Sequence, residues 1–151
     1  MKTIICLEHT SYSPYLYEVG QKINEFVINS SEEISVCSMD QTTHFMDIHT
    51  AIFHASELDS FNNGVIIANT IRNAKQILSC ANQSKKVLFL YDLDWMYEPF
   101  MYDELYEILT NENLIIILRS KDHIQPLINL CGRIPNAVLN SFELEKIWNL
   151  L

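Results

Sequence analysis

Unbroken apolar runs alternate along this chain with apolar positions spaced three or four apart, and that alternation predicts strands and helices in turn. Residues 2–8 open with Thr3-Ile4-Ile5-Cys6-Leu7, a run suited to a strand buried on both faces. Ser13-Pro14 then starts a helix, Ser as cap and Pro at the first helical position, with Leu16, Val19, Ile23, Phe26 and Val27 recurring on one face. The 33–38 segment alternates as a second strand, apolar at Ile34 and Val36. Regularity is lost over 39–63, where Thr42-Thr43 and the histidines suggest loop, with a short helix over 48–58. Asn62-Asn63-Gly64 turns the chain into a third strand at 65–68.

Asn69-Thr70 caps a helix whose stripe is Ile71, Ala74, Ile77, Leu78 and Ala81. The fourth strand is the most telling: Lys86-Val87-Leu88-Phe89-Leu90 is unbroken, then ends abruptly in Tyr91-Asp92-Leu93-Asp94-Trp95. Pro99 introduces a helix through Leu105, Ile108 and Leu109 that ends near Asn111. The fifth strand, 114–118, ends at Arg119-Ser120. Asp122 is expected to cap the next helix, whose first turn tolerates Pro126 and which Gly132 closes. A short sixth strand at 137–139 leads to Ser141 as cap of a closing helix with Leu144, Ile147 and Trp148. Such βα repetition predicts a three-layer α/β fold with right-handed crossovers. The sheet is mostly parallel, of about five or six strands, in one domain over 1–151.

Composition narrows the class. A chain of 151 residues, 48% of them hydrophobic, supplies the core of one domain. No apolar stretch approaches the roughly 20 residues that span a bilayer, and the first run is too short for a secretory leader, so no membrane is expected. Cys6, Cys37, Cys80 and Cys131 are dispersed without metal or redox spacing, which suits reduced thiols in a cytoplasmic protein. The net charge of -9 argues against a nucleic-acid duplex as partner, since phosphates require clustered Lys and Arg. With only three glycines there is no glycine-rich loop for a dinucleotide or a nucleoside triphosphate, and no Gly-x-Ser-x-Gly elbow. A phosphoryl-accepting receiver domain would find acids at Glu8 and at Asp40 or Asp92, but Arg119 stands where its strand-end lysine belongs.

In parallel sheets ligands bind beyond the carboxyl ends of the strands, so the candidate ligand-binding residues are Asp92, Asp94, Trp95, Arg119, Ser120 and His123. Arg119, Ser120 and His123 follow a buried strand and precede a helix, where backbone amides and a cation receive an anion; the alternative is a capped helix with a solvated Arg. Asp92 and Asp94 fit either a divalent cation or hydrogen bonding to loop amides, and the three-residue pattern is too short to assign a metal. His44, His49 and His54, spaced by five, would not share a helix face. Neither metal nor cofactor is assigned. Between 92 and 112 lie seven acids and no base, interleaved with Tyr97, Phe100, Tyr102 and Tyr106. That acidic-aromatic stretch is either a docking surface for a protein partner or second copy, or one packed and solvated helix face.

The order Ala68-Asn69, Tyr91-Asp92-Leu93-Asp94-Trp95, Arg119-Ser120 and His123, over about the C-terminal two thirds of the chain, resembles the Rossmann-type half of phage-encoded glycosyltransferase-like proteins of GT-B architecture. The resemblance implies a Rossmann-like domain, a viral origin with residence in the host cytoplasm, and binding of a nucleotide-sugar or glycan. Enzymes of that architecture work in a cleft between two such domains, and this chain is long enough for one. Catalysis would then need a second copy or another chain, and a non-catalytic viral interaction module is the competing expectation.

Overall fold

The computed structural model describes residues 2–7, 13–38, 46–97 and 102–151. Its strands are β1 (Lys2–Leu7), β2 (Glu33–Ser38), β3 (Ala51–His54), β4 (Val65–Ala68), β5 (Lys85–Leu90), β6 (Leu114–Leu118) and β7 (Ala137–Val138). They form one sheet in the order β3-β2-β1-β4-β5-β6-β7, and every neighbouring pair is parallel. The fold is therefore α/β and Rossmann-like, and the chain reverses its direction of travel across the sheet between β1 and β4.

Helices cover both faces. On one, α1 (Pro14–Asn29) and α5 (Leu144–Trp148) bury Leu16, Val19, Ile23, Leu144 and Ile147 against Ile5, Ile67, Val87 and Phe89. On the other, α2 (Ile71–Ser79), α3 (Tyr102–Thr110), α4 (Ile124–Cys131) and a 3₁₀ turn at Ala55–Ser60 cover Ile4, Ile66, Leu88 and Ile116. The double coverage explains why β1, β4, β5 and β6 read as apolar runs: a strand with helices above and below has no wet face. Phe89 meets Phe142 edge-on at 5.4 Å, fastening the segment before α5 to the middle of the sheet.

Local rules account for most helix ends. Ser13 caps α1 by accepting from the Leu16 amide at 3.1 Å, and Thr70 caps α2 by accepting from Asn73 at 3.2 Å. Gly132, at φ 72°, ends α4 with its amide on the Ile128 carbonyl, a left-handed position that a side chain would strain. Two expected caps differ. Ser120, not Asp122, performs the capping after β6, accepting from the Asp122 amide at 3.2 Å, and a 3₁₀ turn at Lys121–His123 intervenes before α4. Ser141 donates to the Glu143 carboxylate at 2.8 Å and stands outside α5, whose cap position is Glu143.

The largest departure lies at 48–58, where strand β3 and the 3₁₀ turn replace the expected helix and bring the strands among the described residues to seven. β3 pairs with β2 from Ser35↔Ala51 to Ser38↔His54, so inter-strand bonding decides a segment with weak propensity of its own. Leu58, the last residue of the expected helix, is buried in the turn. All four cysteines are buried free thiols, and no helix among the described residues is long and apolar enough to cross a membrane.

Candidate functional site

The strands end together on one edge, from which α1, α2, α3 and α4 depart. Glu8, His9, Asp40, His44, Pro99 and Phe100 lie outside the described residues. Tyr91, the first residue past β5, is the hub. Its ring lies under the Arg119 guanidinium, whose carbon is 3.9 Å from the ring centroid, and tilts against Tyr15 with centroids 4.6 Å apart. The Tyr91 hydroxyl donates at 2.8 Å to Glu18 of α1, and the other oxygen of that carboxylate accepts from the Phe142 amide at 3.2 Å. One carboxylate thus ties together α1, the end of β5 and the approach to α5.

Arg119 is placed from both sides: its amide bonds the Leu90 carbonyl at 3.0 Å, and its side chain rests on Tyr91. Among the described residues no hydrogen bond occupies its guanidinium, so the planar donors of a positioned cation remain available. The aromatic pair is pushed toward the neutral form. Burial raises the Tyr91 hydroxyl above the ordinary tyrosine value, with the Glu18 hydrogen bond adding to it. Burial, then the Glu18 charge, raises Tyr15 further still.

Among the described residues, four buried side-chain polar atoms lack a hydrogen-bond partner: Tyr15 Oη, Asn73 Oδ1, Trp95 Nε1 and His123 Nδ1. Each belongs to a segment at or just beyond the carboxyl ends of the strands. Asn73, fully buried in the first turn of α2, donates through Nδ2 to the Cys6 carbonyl at 3.2 Å and to Asn69 Oδ1 at 2.7 Å. Those two acceptors fix the amide's orientation and leave Oδ1 as a buried acceptor beside the β1–β4 reversal. A buried polar atom without a partner costs about 1–3 kcal/mol, so a concentration of them on one edge calls for an explanation.

The sequence-predicted residues divide into three groups. Arg119, Ser120 and His123 lie together just past β6, half-buried, with Ser120 committed to its cap and His123 heading α4. Asp92 is exposed in the loop after β5, and Asp94 begins the short 3₁₀ turn Asp94–Met96. Trp95 is 3% exposed and packed in the core on the α2–α4 face, so its indole is a wall of the core and not a free stacking surface. Tyr97, Tyr102 and Tyr106 are exposed, on the outside of the molecule. Tyr15, Glu18 and Asn73 escaped the sequence reading. They sit in the opening turns of α1 and α2, Tyr15 and Asn73 in the first and Glu18 at the start of the second, and only the strand order shows those turns to border the same edge.

Two cavities lined by described residues lie at the opposite, amino edge. One, of about 420 Å3, is lined by Thr110, Glu112, Cys131, Gly132 and Arg133; the other, of about 450 Å3, by residues that include Asn82, Lys85, Lys86 and Asn113. Their cations are already engaged. Arg133 donates to the carbonyls of Leu109, Asn111 and Leu114, finishing α3 and starting β6, and Lys86 donates to the Cys80 carbonyl at 2.8 Å. No family model matches the chain, and no curated protein is significantly similar to it.

Proposed function

We propose that this protein is a glycosyltransferase-like α/β domain that binds a nucleotide-sugar or a glycan at the carboxyl edge of its sheet and does not complete a reaction alone. The observation that carries the reading is the coincidence, on that edge, of the four unpartnered buried polar atoms with the Arg119 guanidinium held over Tyr91. Arg119 would take an anionic group through planar paired donors, while Asn73 Oδ1 and the Asp92 carboxylate would accept from ligand hydroxyls. Ser120 and His123, at the head of α4, would extend the anion contact. The phage origin suggested by Ala68-Asn69, Tyr91-Asp92-Leu93-Asp94-Trp95 and Arg119-Ser120 belongs to the same proposal.

Calorimetric titration with a panel of nucleotides, nucleotide-sugars and oligosaccharides, with and without manganese, tests it. Saturable heat with at least one of them is expected. Arg119→Gln should then weaken that binding at least about tenfold, the size of a lost charge-assisted hydrogen-bond pair. No heat at millimolar ligand would overturn the proposal.

A further inference from the structure

The surface of α3 has a composition that the carboxyl edge does not explain. The helix buries Leu105, Ile108 and Leu109, which leaves Tyr106, Asp103 and Glu107 on its outer side. At one border Tyr102 is 59% exposed and donates its hydroxyl to the Leu130 carbonyl of α4 at 3.1 Å, with its ring 6.0 Å from that of Tyr106. At the other border Glu104 is paired with Lys75 of α2. Asp103 and Glu107, one turn apart, have no ion-pair partner among the described residues. A stripe of tyrosine rings and a stripe of carboxylates therefore run side by side. Just before the helix, Met96 and Tyr97 expose further apolar surface, Tyr97 to 86%.

We infer that this outer face of α3 docks a basic, arginine-bearing segment of a partner protein. A guanidinium can lie flat on a tyrosine ring while its edge meets a carboxylate, and a face that offers rings and acids in adjacent rows satisfies both demands at once. The molecule uses half of the same chemistry internally, where Arg119 lies on Tyr91. Charge selects among the other occupants. The stretch 92–112 holds seven acids and no base in a chain of net charge -9, so a second copy would bring like charges face to face and a nucleic acid would bring phosphates to carboxylates. None of these α3 side chains belongs to the ligand site proposed above, and the inference stands whether or not a nucleotide-sugar binds there.

The probe is a fluorescein-labelled peptide of about twelve residues alternating Arg and Leu, with Lys and Gln counterparts, titrated with the full chain and followed by anisotropy. The Arg peptide should bind most tightly, the Lys peptide several-fold more weakly and the Gln peptide not measurably. Tyr106→Ala, and separately Asp103→Asn with Glu107→Gln, should each weaken binding about tenfold, as expected of residues central to an interface. The carboxylate pair changes only exposed groups, so it decides the matter even if Tyr106→Ala lowers the melting temperature. Glu57→Gln with Glu145→Gln removes equal charge elsewhere and should change affinity less than twofold. Equal weakening by that control pair, or no weakening by the α3 variants, would overturn the inference. So would a concentration-dependent dimer in light scattering that Tyr106→Ala abolishes, because the face would then belong to a second copy.

Discussion

The Tyr91–Arg119 contact can be measured without knowing any ligand, through a double-mutant cycle on stability. The perturbations are Tyr91→Leu, Arg119→Met and the pair, with Tyr91→Phe alone and combined with Arg119→Met as fourth and fifth variants. Both side chains are half-buried and the guanidinium carbon is 3.9 Å from the ring centroid. That places the coupling between the exposed and desolvated limits, at about 1 kcal/mol. Tyr91→Phe keeps the ring but removes the 2.8 Å hydrogen bond to Glu18, whose carboxylate retains the Phe142 amide. A hydrogen bond to a charged group contributes about 1.5–3 kcal/mol, and partial access of water reduces this to about 1 kcal/mol. In a chain of this size each kcal/mol lowers the melting temperature by about 2–4 °C. Urea unfolding followed by circular dichroism and by tryptophan fluorescence supplies the free energies on a common slope. A coupling below about 0.3 kcal/mol, within the additivity of unrelated sites, would refute the idea that Tyr91 positions Arg119. Arg119→Met destabilising equally in the Tyr91→Phe and Tyr91→Leu backgrounds would do the same, since only the first retains a ring for the guanidinium.

Arg133→Met should destabilise by about 2–4 kcal/mol, because three carbonyls lose a charged donor at a partly wet site, while ligand binding at the opposite edge is unchanged; a loss under about 0.5 kcal/mol in chemical unfolding would sink the structural role assigned to it. Tyr15 and Tyr91 hold their protons more tightly in the folded chain than in the unfolded one, so their contribution is complete below pH 10 or so and is lost as pH rises beyond it. Melting temperature should therefore fall above that pH, more steeply than in Tyr91→Phe, and the folded chain should show a late-ionising tyrosine absorbance at 295 nm that Tyr91→Phe reduces; a late signal unchanged in that variant would contradict this. Gly64→Ala should cost about 2–3 kcal/mol because its Cβ would fall 2.5 Å from the Lys2 carbonyl oxygen, whereas Gly132→Ala, with open space but φ of 72°, should cost about 1–2 kcal/mol. Thermal scans of the two variants decide whether close approach or backbone conformation dominates at each glycine.

The central strands and the caps at Ser13 and Thr70 were legible because they depend on local chemistry: an apolar run needs cover on both sides, and a hydroxyl before a helix needs a free amide. β3 was not, because Ala51–His54 becomes a strand only by pairing with β2, and a four-residue edge strand leaves little pattern. The carboxyl ends of β5 and β6 were found from the abrupt change at Tyr91 and Arg119. Glu18 and Asn73 were not, since contacts from Glu18 to Tyr91 and from Asn73 to Cys6 join residues 73 and 67 apart in the chain. Burial of Trp95 is equally non-local. An aromatic after a strand looks alike in sequence whether it lines a cleft or fills the gap under helices, and here it does the second.

The margins of the sheet have a bearing on how this protein behaves when concentrated. The strands at its two borders, β3 and β7, are four and two residues long, and β3 runs straight into a 3₁₀ turn at Ala55. Few main-chain donors and acceptors are therefore left in register for an incoming chain, so fibril-like lateral growth is blunted although the interior strands are among the most aggregation-prone segment types when exposed. The same brevity discourages partners that bind by adding a strand. Under the two proposals made above, recognition would fall to side chains, at the strand ends and along α3, where small substitutions would retune it without disturbing the sheet.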